Sequence, residues 1–104
     1  MSRDSVTANP LRGEAVVAGR VLRPTFTALV AAEEELGPLF ALVERAASGA
    51  LKLSEMVALF WHCLVQRDGL AREEFGAAVT EGGLAAATPA LRVLLGQILS
   101  GRRH

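Results

Sequence analysis

The sequence predicts an α+β fold that is mostly α: a short N-terminal β-hairpin followed by a compact bundle of four to five helices. Three observations carry this expectation. Residues 14–24 hold two short apolar runs, Ala15-Val16-Val17 and Arg20-Val21-Leu22-Arg23, on either side of Ala18-Gly19. From Thr25 to about Ser100, apolar residues recur at helical spacing, broken at Gly37-Pro38, Gly49, Gly69 and Gly82-Gly83. The strands come first and the helices after, an order that gives α+β architecture rather than alternating βαβ units.

A chain of 104 residues is expected to form one domain. Residues 1–8 read as disordered, and Asn9-Pro10 as a turn. In the hairpin, 14–24, Gly19 supplies the positive φ of a tight loop. Two short strands are barely stable alone, so they must pack on helices or pair with another chain. Residues 25–100 are helical. Thr25 caps a helix over 26–36, with Phe26, Leu29, Val30 and Leu36 on one side and Gly37 just past its end. Pro38 suits the first turn of a second helix, 38–48, with Leu39, Phe40, Leu42 and Val43 inward. Ser54 caps a third helix over 55–67. A fourth covers 71–80, with Phe75 and Val79 one turn apart. The fifth runs to Ser100. Pro89 places its regular start at Thr88, and Leu91, Leu94, Leu95, Ile98 and Leu99 form its apolar stripe.

Composition narrows the function. Lys+Arg and Asp+Glu both number 11, so the basic excess that phosphate contacts require is missing, and no nucleic-acid partner is expected. The single Cys fits a reducing compartment. Met1–Ser5 shows no apolar signal region and no run of about 18 apolar residues occurs, so a cytoplasmic protein without a membrane partner is expected. His62 and Cys63 invite a nucleophile or metal reading. Helical neighbours point about 100° apart, however, and zinc requires three or four converging ligands. Glu33–Glu35 and Glu73-Glu74 fan around their helices as solvated faces. The expectation is therefore a protein that is not an enzyme, with no catalytic residues, no cofactor and no metal. A small ligand-binding domain would instead show a polar pocket at His62 and Cys63.

The informative feature is apolar surplus: 51% of residues are hydrophobic. Within 56–65 only His62 is clearly polar, so apolar side chains surround the helix axis. Such a helix is either central in a core or covered by something else. Met56, Leu59, Phe60, Trp61 and Leu64 are accordingly the candidate partner-binding residues. The surplus and the zero formal charge also point to self-association as a homo-oligomer.

One combination of motifs is more specific. "NPLRGE" at Asn9–Glu14 precedes "GR" at Gly19-Arg20, and "LRPTFTALVAAEEELG" spans Leu22–Gly37. With "EGGLAAA" at Glu81–Ala87, these resemble the small tail protein family of phages and gene transfer agents, classed with tail assembly chaperones and also labelled tail tube protein. The family pattern falls on Asn9, Pro10, Arg12, Gly13 and Glu14, then on Leu22, Arg23, Pro24, Thr25, Phe26, Ala28 and Leu29, and last on Glu33, Leu36 and Gly37. Only Ala15–Ala18 stand between Glu14 and Gly19, fewer residues than is usual in that family's hairpin. The resemblance implies a non-enzymatic role in tail morphogenesis: a tail assembly chaperone that binds the tape measure protein, with the tail tube protein as a further partner. The alternative it implies is a structural tail tube or terminator component of the particle.

Overall fold

A computed structural model describes residues 14–100. The expectations for residues 1–8 and for Asn9, Pro10, Arg12 and Gly13 lie outside the described residues. The chain forms strands β1 (Ala15–Val17) and β2 (Arg20–Leu22), then helices α1 (Phe26–Leu36), α2 (Leu39–Ala47), α3 (Leu53–Cys63), α4 (Arg72–Glu81) and α5 (Leu84–Ser100). This is the α+β, mostly helical architecture expected.

The hairpin forms despite its short strands. β1 and β2 pair antiparallel, with Val17 opposite Arg20, so Ala18 and Gly19 alone make the loop. Both have positive φ, 52° and 74°, the signature of a type I′ turn, whose twist matches that of the flanking strands. Gly19 adopts this region freely; Ala18 does so at a cost. Ala18→Asn is therefore expected to raise stability by about 1 kcal/mol, read as a higher urea midpoint at unchanged slope. An unchanged midpoint would mean that Ala18 carries no strain.

What anchors so small a hairpin is the end of α3. The third helix was expected to run to residue 67, but it stops at Cys63. Leu64 turns to extended backbone, φ −60° and ψ 131°. Leu64 then bridges Leu22, the Val65 N–H donates to the Val21 carbonyl at 3.1 Å, and the Arg23 N–H donates to the Cys63 carbonyl at 2.7 Å. The free edge of β2 thus takes the backbone groups that another helical turn would have used. The start of α3 also differs. Ser54 does not cap it; Lys52 is the N-cap residue, and Glu55 Oε1 accepts from the Lys52 N–H at 3.0 Å. A carboxylate at the third helical position is well placed for this, and it also suits the helix N-terminus electrostatically.

The core gathers Leu22, Leu42, Leu59, Phe60, Phe75, Val79 and Leu94, all fully or almost fully buried. α1 meets α3 through Ala28 and Ala32, whose small side chains let the two helices come close. The expected inward face of α1 is corrected by this contact. Phe26 and Val30 lie about 200° around the helix from Ala28 and Ala32, and so they face outward. The same correction applies to Phe40 on α2. Leu42 is the buried residue there, and a two-residue step turns Phe40 to the opposite side. Thr25 caps α1 as expected, its Oγ1 accepting from the Ala28 N–H at 3.1 Å, and Gly37 ends the helix with φ 86°.

Candidate functional site

The five residues expected to hold a partner are mostly core. Met56, Leu59, Phe60 and Leu64 are buried. Trp61 is half-buried. Its ring centroid lies 6.2 Å from that of Phe75, and the Arg67 guanidinium sits 5.4 Å from the Trp61 ring centroid. α1 and α4 pack on α3, and Leu64 pairs with β2, so Met56, Leu59, Phe60 and Leu64 are buried within the chain itself.

His62 and Cys63 do not act together either. Cys63 is buried, and burial pushes its thiol up to about 12, which keeps it protonated and unreactive. His62 Nε2 lies 2.7 Å from Glu35 Oε1 across the α1–α3 contact, and Arg72 on α4 bonds to the other oxygen of the same carboxylate. These partners, Arg72 first and then His62, hold the Glu35 carboxyl below its ordinary value of 4.5. The lowered group contributes stability above that value, and the contribution is lost as pH falls through the depressed one. Glu35→Gln is thus expected to weaken the fold at neutral pH and to reduce its loss of stability in acid. The effect should stay within about 1 kcal/mol, because solvent screens a pair this exposed. Urea melts at neutral pH and well below 4.5 test this; parallel acid limbs for the two proteins would refute it.

Two motif fragments meet in space. Glu14 ends the "NPLRGE" stretch and Arg23 lies in "LRPTF"; Arg23 Nε donates to Glu14 Oε2 at 2.6 Å across the open end of the hairpin. Glu14 is only 5% exposed and makes a further interaction as well. Arg23→Met removes a charge-assisted hydrogen bond to a buried carboxylate and should cost about 1–3 kcal/mol. A denaturant titration reads this directly.

The exposed apolar surface lies elsewhere. Phe26 is 84% exposed and Phe40 77%, far beyond the usual burial of phenylalanine. They flank a groove of about 280 Å³ whose walls are Leu29 and Val30 of α1, Leu39 of α2 and Ile98 of α5. Leu99, also exposed, follows Ile98. The charged residue lining the groove is Glu33, whose Oε2 accepts from the Leu39 N–H at 3.1 Å and so caps α2. A larger hollow of about 490 Å³ is lined in part by Leu36, Leu53, Val57 and Gly76. Three of its rim charges are already engaged, as Glu35–Arg72 and Arg45–Glu55 pairs. The Phe26–Phe40 groove combines the most exposed aromatic surface with a concave apolar floor, and it is the candidate site.

A family model described as phage tail tube protein, GTA-gp10, matches residues 13–101. The chain belongs to that family. It is related to the tails of phages and gene transfer agents, as the motifs at Asn9–Gly37 imply. No curated protein and no solved structure matches it significantly. Within the family match, Phe26 lies in the sequence motif at Leu22–Gly37 and Phe40 three residues after it, whereas the buried α3 lies outside it. The motif thus spans one wall of the groove. A sequence reading could have found that wall by noticing that α1 has two apolar faces, one of alanines and one of larger residues.

Proposed function

We propose that this protein is a non-enzymatic tail assembly chaperone that shields an apolar helical segment of the tape measure protein until the tail tube forms around it. The observation that carries this is the Phe26–Phe40 groove: two phenylalanines left in solvent beside an apolar hollow walled by helices. Large exposed apolar patches mark interaction surfaces, and helix-walled grooves take amphipathic helices. The limited β-structure supports the same reading. Two three-residue strands offer little edge from which to build a ring of subunits. Co-expression with the tape measure protein, followed by pull-down, tests it. The tape measure protein should become more soluble and co-purify, and Phe26→Ser with Phe40→Ser should abolish both. An equally insoluble, unbound tape measure protein would end this reading.

The second reading, a structural tail tube component, is favoured by the family's own description. Mass spectrometry of mature particles separates the two. A tube subunit is present in stoichiometric amount, and a chaperone is absent or scarce.

A further inference from the structure

Glu33 gives the groove a chemical preference beyond its apolar walls. Its Oε2 is taken by the Leu39 N–H, while Oε1 has no hydrogen-bond partner among the described residues. Glu34, also exposed, follows it on α1, four residues on from Val30. Phe26, Val30, Glu33 and Glu34 stand at i, i+4, i+7 and i+8, so an apolar wall runs into an acidic end along one face of α1. We infer that the groove binds an amphipathic α-helix of a partner protein that carries a lysine or arginine beside its apolar face, with that cation meeting Glu33. The inference rests on the client-binding reading above and specifies the chemistry of the client segment.

The shape of the groove selects a helix. An extended peptide gains affinity chiefly by pairing with backbone at a sheet edge. The walls here are the helices α1, α2 and α5, which offer no strand edge for an extended peptide to pair with. A helix instead offers side chains at i, i+3, i+4 and i+7, which fit between Phe26 and Val30 on one side and Leu39 and Phe40 on the other. Charge argues against a second copy of this chain as the occupant. A two-fold contact places the same patch on both partners, so each apolar face would bring its own Glu33 and Glu34 toward those of the other. Like charges brought together in a partly desolvated contact oppose association. A cationic helix removes that conflict and satisfies the open oxygen.

The test uses the full chain and two labelled synthetic peptides of about five helical turns, each with leucines along one face. One peptide carries lysines beside the leucines; the other carries glutamates at the same places. Fluorescence anisotropy should show the lysine peptide binding about three- to tenfold tighter, with the gap closing as salt rises. Glu33→Gln, which keeps an acceptor for the Leu39 N–H, should shrink the preference, and Glu33→Lys should reverse it. Phe26→Ser with Phe40→Ser should weaken the lysine peptide by about tenfold or more, with circular dichroism unchanged. Equal affinity for the two peptides, or a preference indifferent to Glu33→Gln, overturns the inference. So does a dimer in sedimentation that the Phe26 and Phe40 substitutions dissolve, since the occupant is then a second copy. The two readings fail separately. If the lysine peptide binds but the tape measure protein does not, the chaperone role is wrong and the groove chemistry stands. If the tape measure protein binds equally to the chain with both Phe substitutions, the groove is wrong and the role stands.

Discussion

Phe60→Ala should cost about 3–5 kcal/mol, whereas Phe40→Ala should change stability by no more than about 0.5 kcal/mol. The two substitutions remove the same atoms from the same residue type on neighbouring helices, so the contrast isolates burial. Phe60 has no exposed surface and sits among Leu22, Leu59 and Phe75 in the core cluster; Phe40 keeps 77% of its surface in water. Truncating Phe60 loses the transfer free energy of the ring and leaves a cavity that rigid helices fill only in part. A domain of this size has only about 5–15 kcal/mol of total stability, so the loss removes between about a fifth and all of it. Paired urea titrations measure both. Equal losses would place Phe40 in the core and dissolve the candidate groove, since the groove exists only if Phe40 has nothing to pack against.

The same pair shows where the sequence was informative and where it fell short. The hairpin, the order of helices and most of their ends were legible, because they are written in local chemistry: Ala18-Gly19 for the loop, Thr25 for a cap, Gly37 for a stop. The apolar character of 56–65 was also legible, and so was the choice it posed between core and interface. The side from which that helix is covered was not. Most of α3 is buried against α1 and α4, and the Leu64–Val65 segment that follows it pairs with β2, residues about 40 apart in sequence. Periodicity within one helix carries no information about a partner strand that distant. The outward turn of Phe26 and Phe40 was missed for a related reason. Size suggested that phenylalanine should be inside, but the closeness of α1 to α3 is set by Ala28 and Ala32, and the larger residues take the face that remains. The motif at Leu22–Gly37 identified the family without indicating that its Phe26 belongs to a surface.

Pro89→Ala should raise stability by about 2 kcal/mol. Proline in the first turn of a helix costs little, because the N–H groups there have no intrahelical acceptor. Reading Pro89 that way placed the start of the last helix at Thr88. The structure instead begins α5 at Leu84, which puts Pro89 in the helix interior and deprives the Ala85 carbonyl of its donor. Three things hold the extra turn. Leu84-Ala85-Ala86-Ala87 is a run of strong helix formers, and Ala87, Ala90 and Leu94 form one buried face at i, i+3 and i+7. The Thr88 hydroxyl adds a bond to the Leu84 carbonyl at 3.0 Å. Packing of that face outweighs the missing bond. Pro89 itself is exposed, so replacing it sacrifices no core contact. Alanine restores the N–H for the Ala85 carbonyl and relieves the ring's clash with the preceding turn. The gain is reduced by the greater freedom of the unfolded chain, about 0.4–1 kcal/mol. Pro89→Gly restores the same N–H but adds the glycine penalty, so its midpoint should fall below that of Pro89→Ala by an amount equivalent to about 1 kcal/mol. A Pro89→Ala protein no more stable than the parent would mean that the helix starts at Thr88 after all. The Ala87 contact with the core would then have to form from a loop, and Ala86→Gly, at an exposed position where glycine costs a helix about 1 kcal/mol and a loop little, would distinguish the two starts in a single melt.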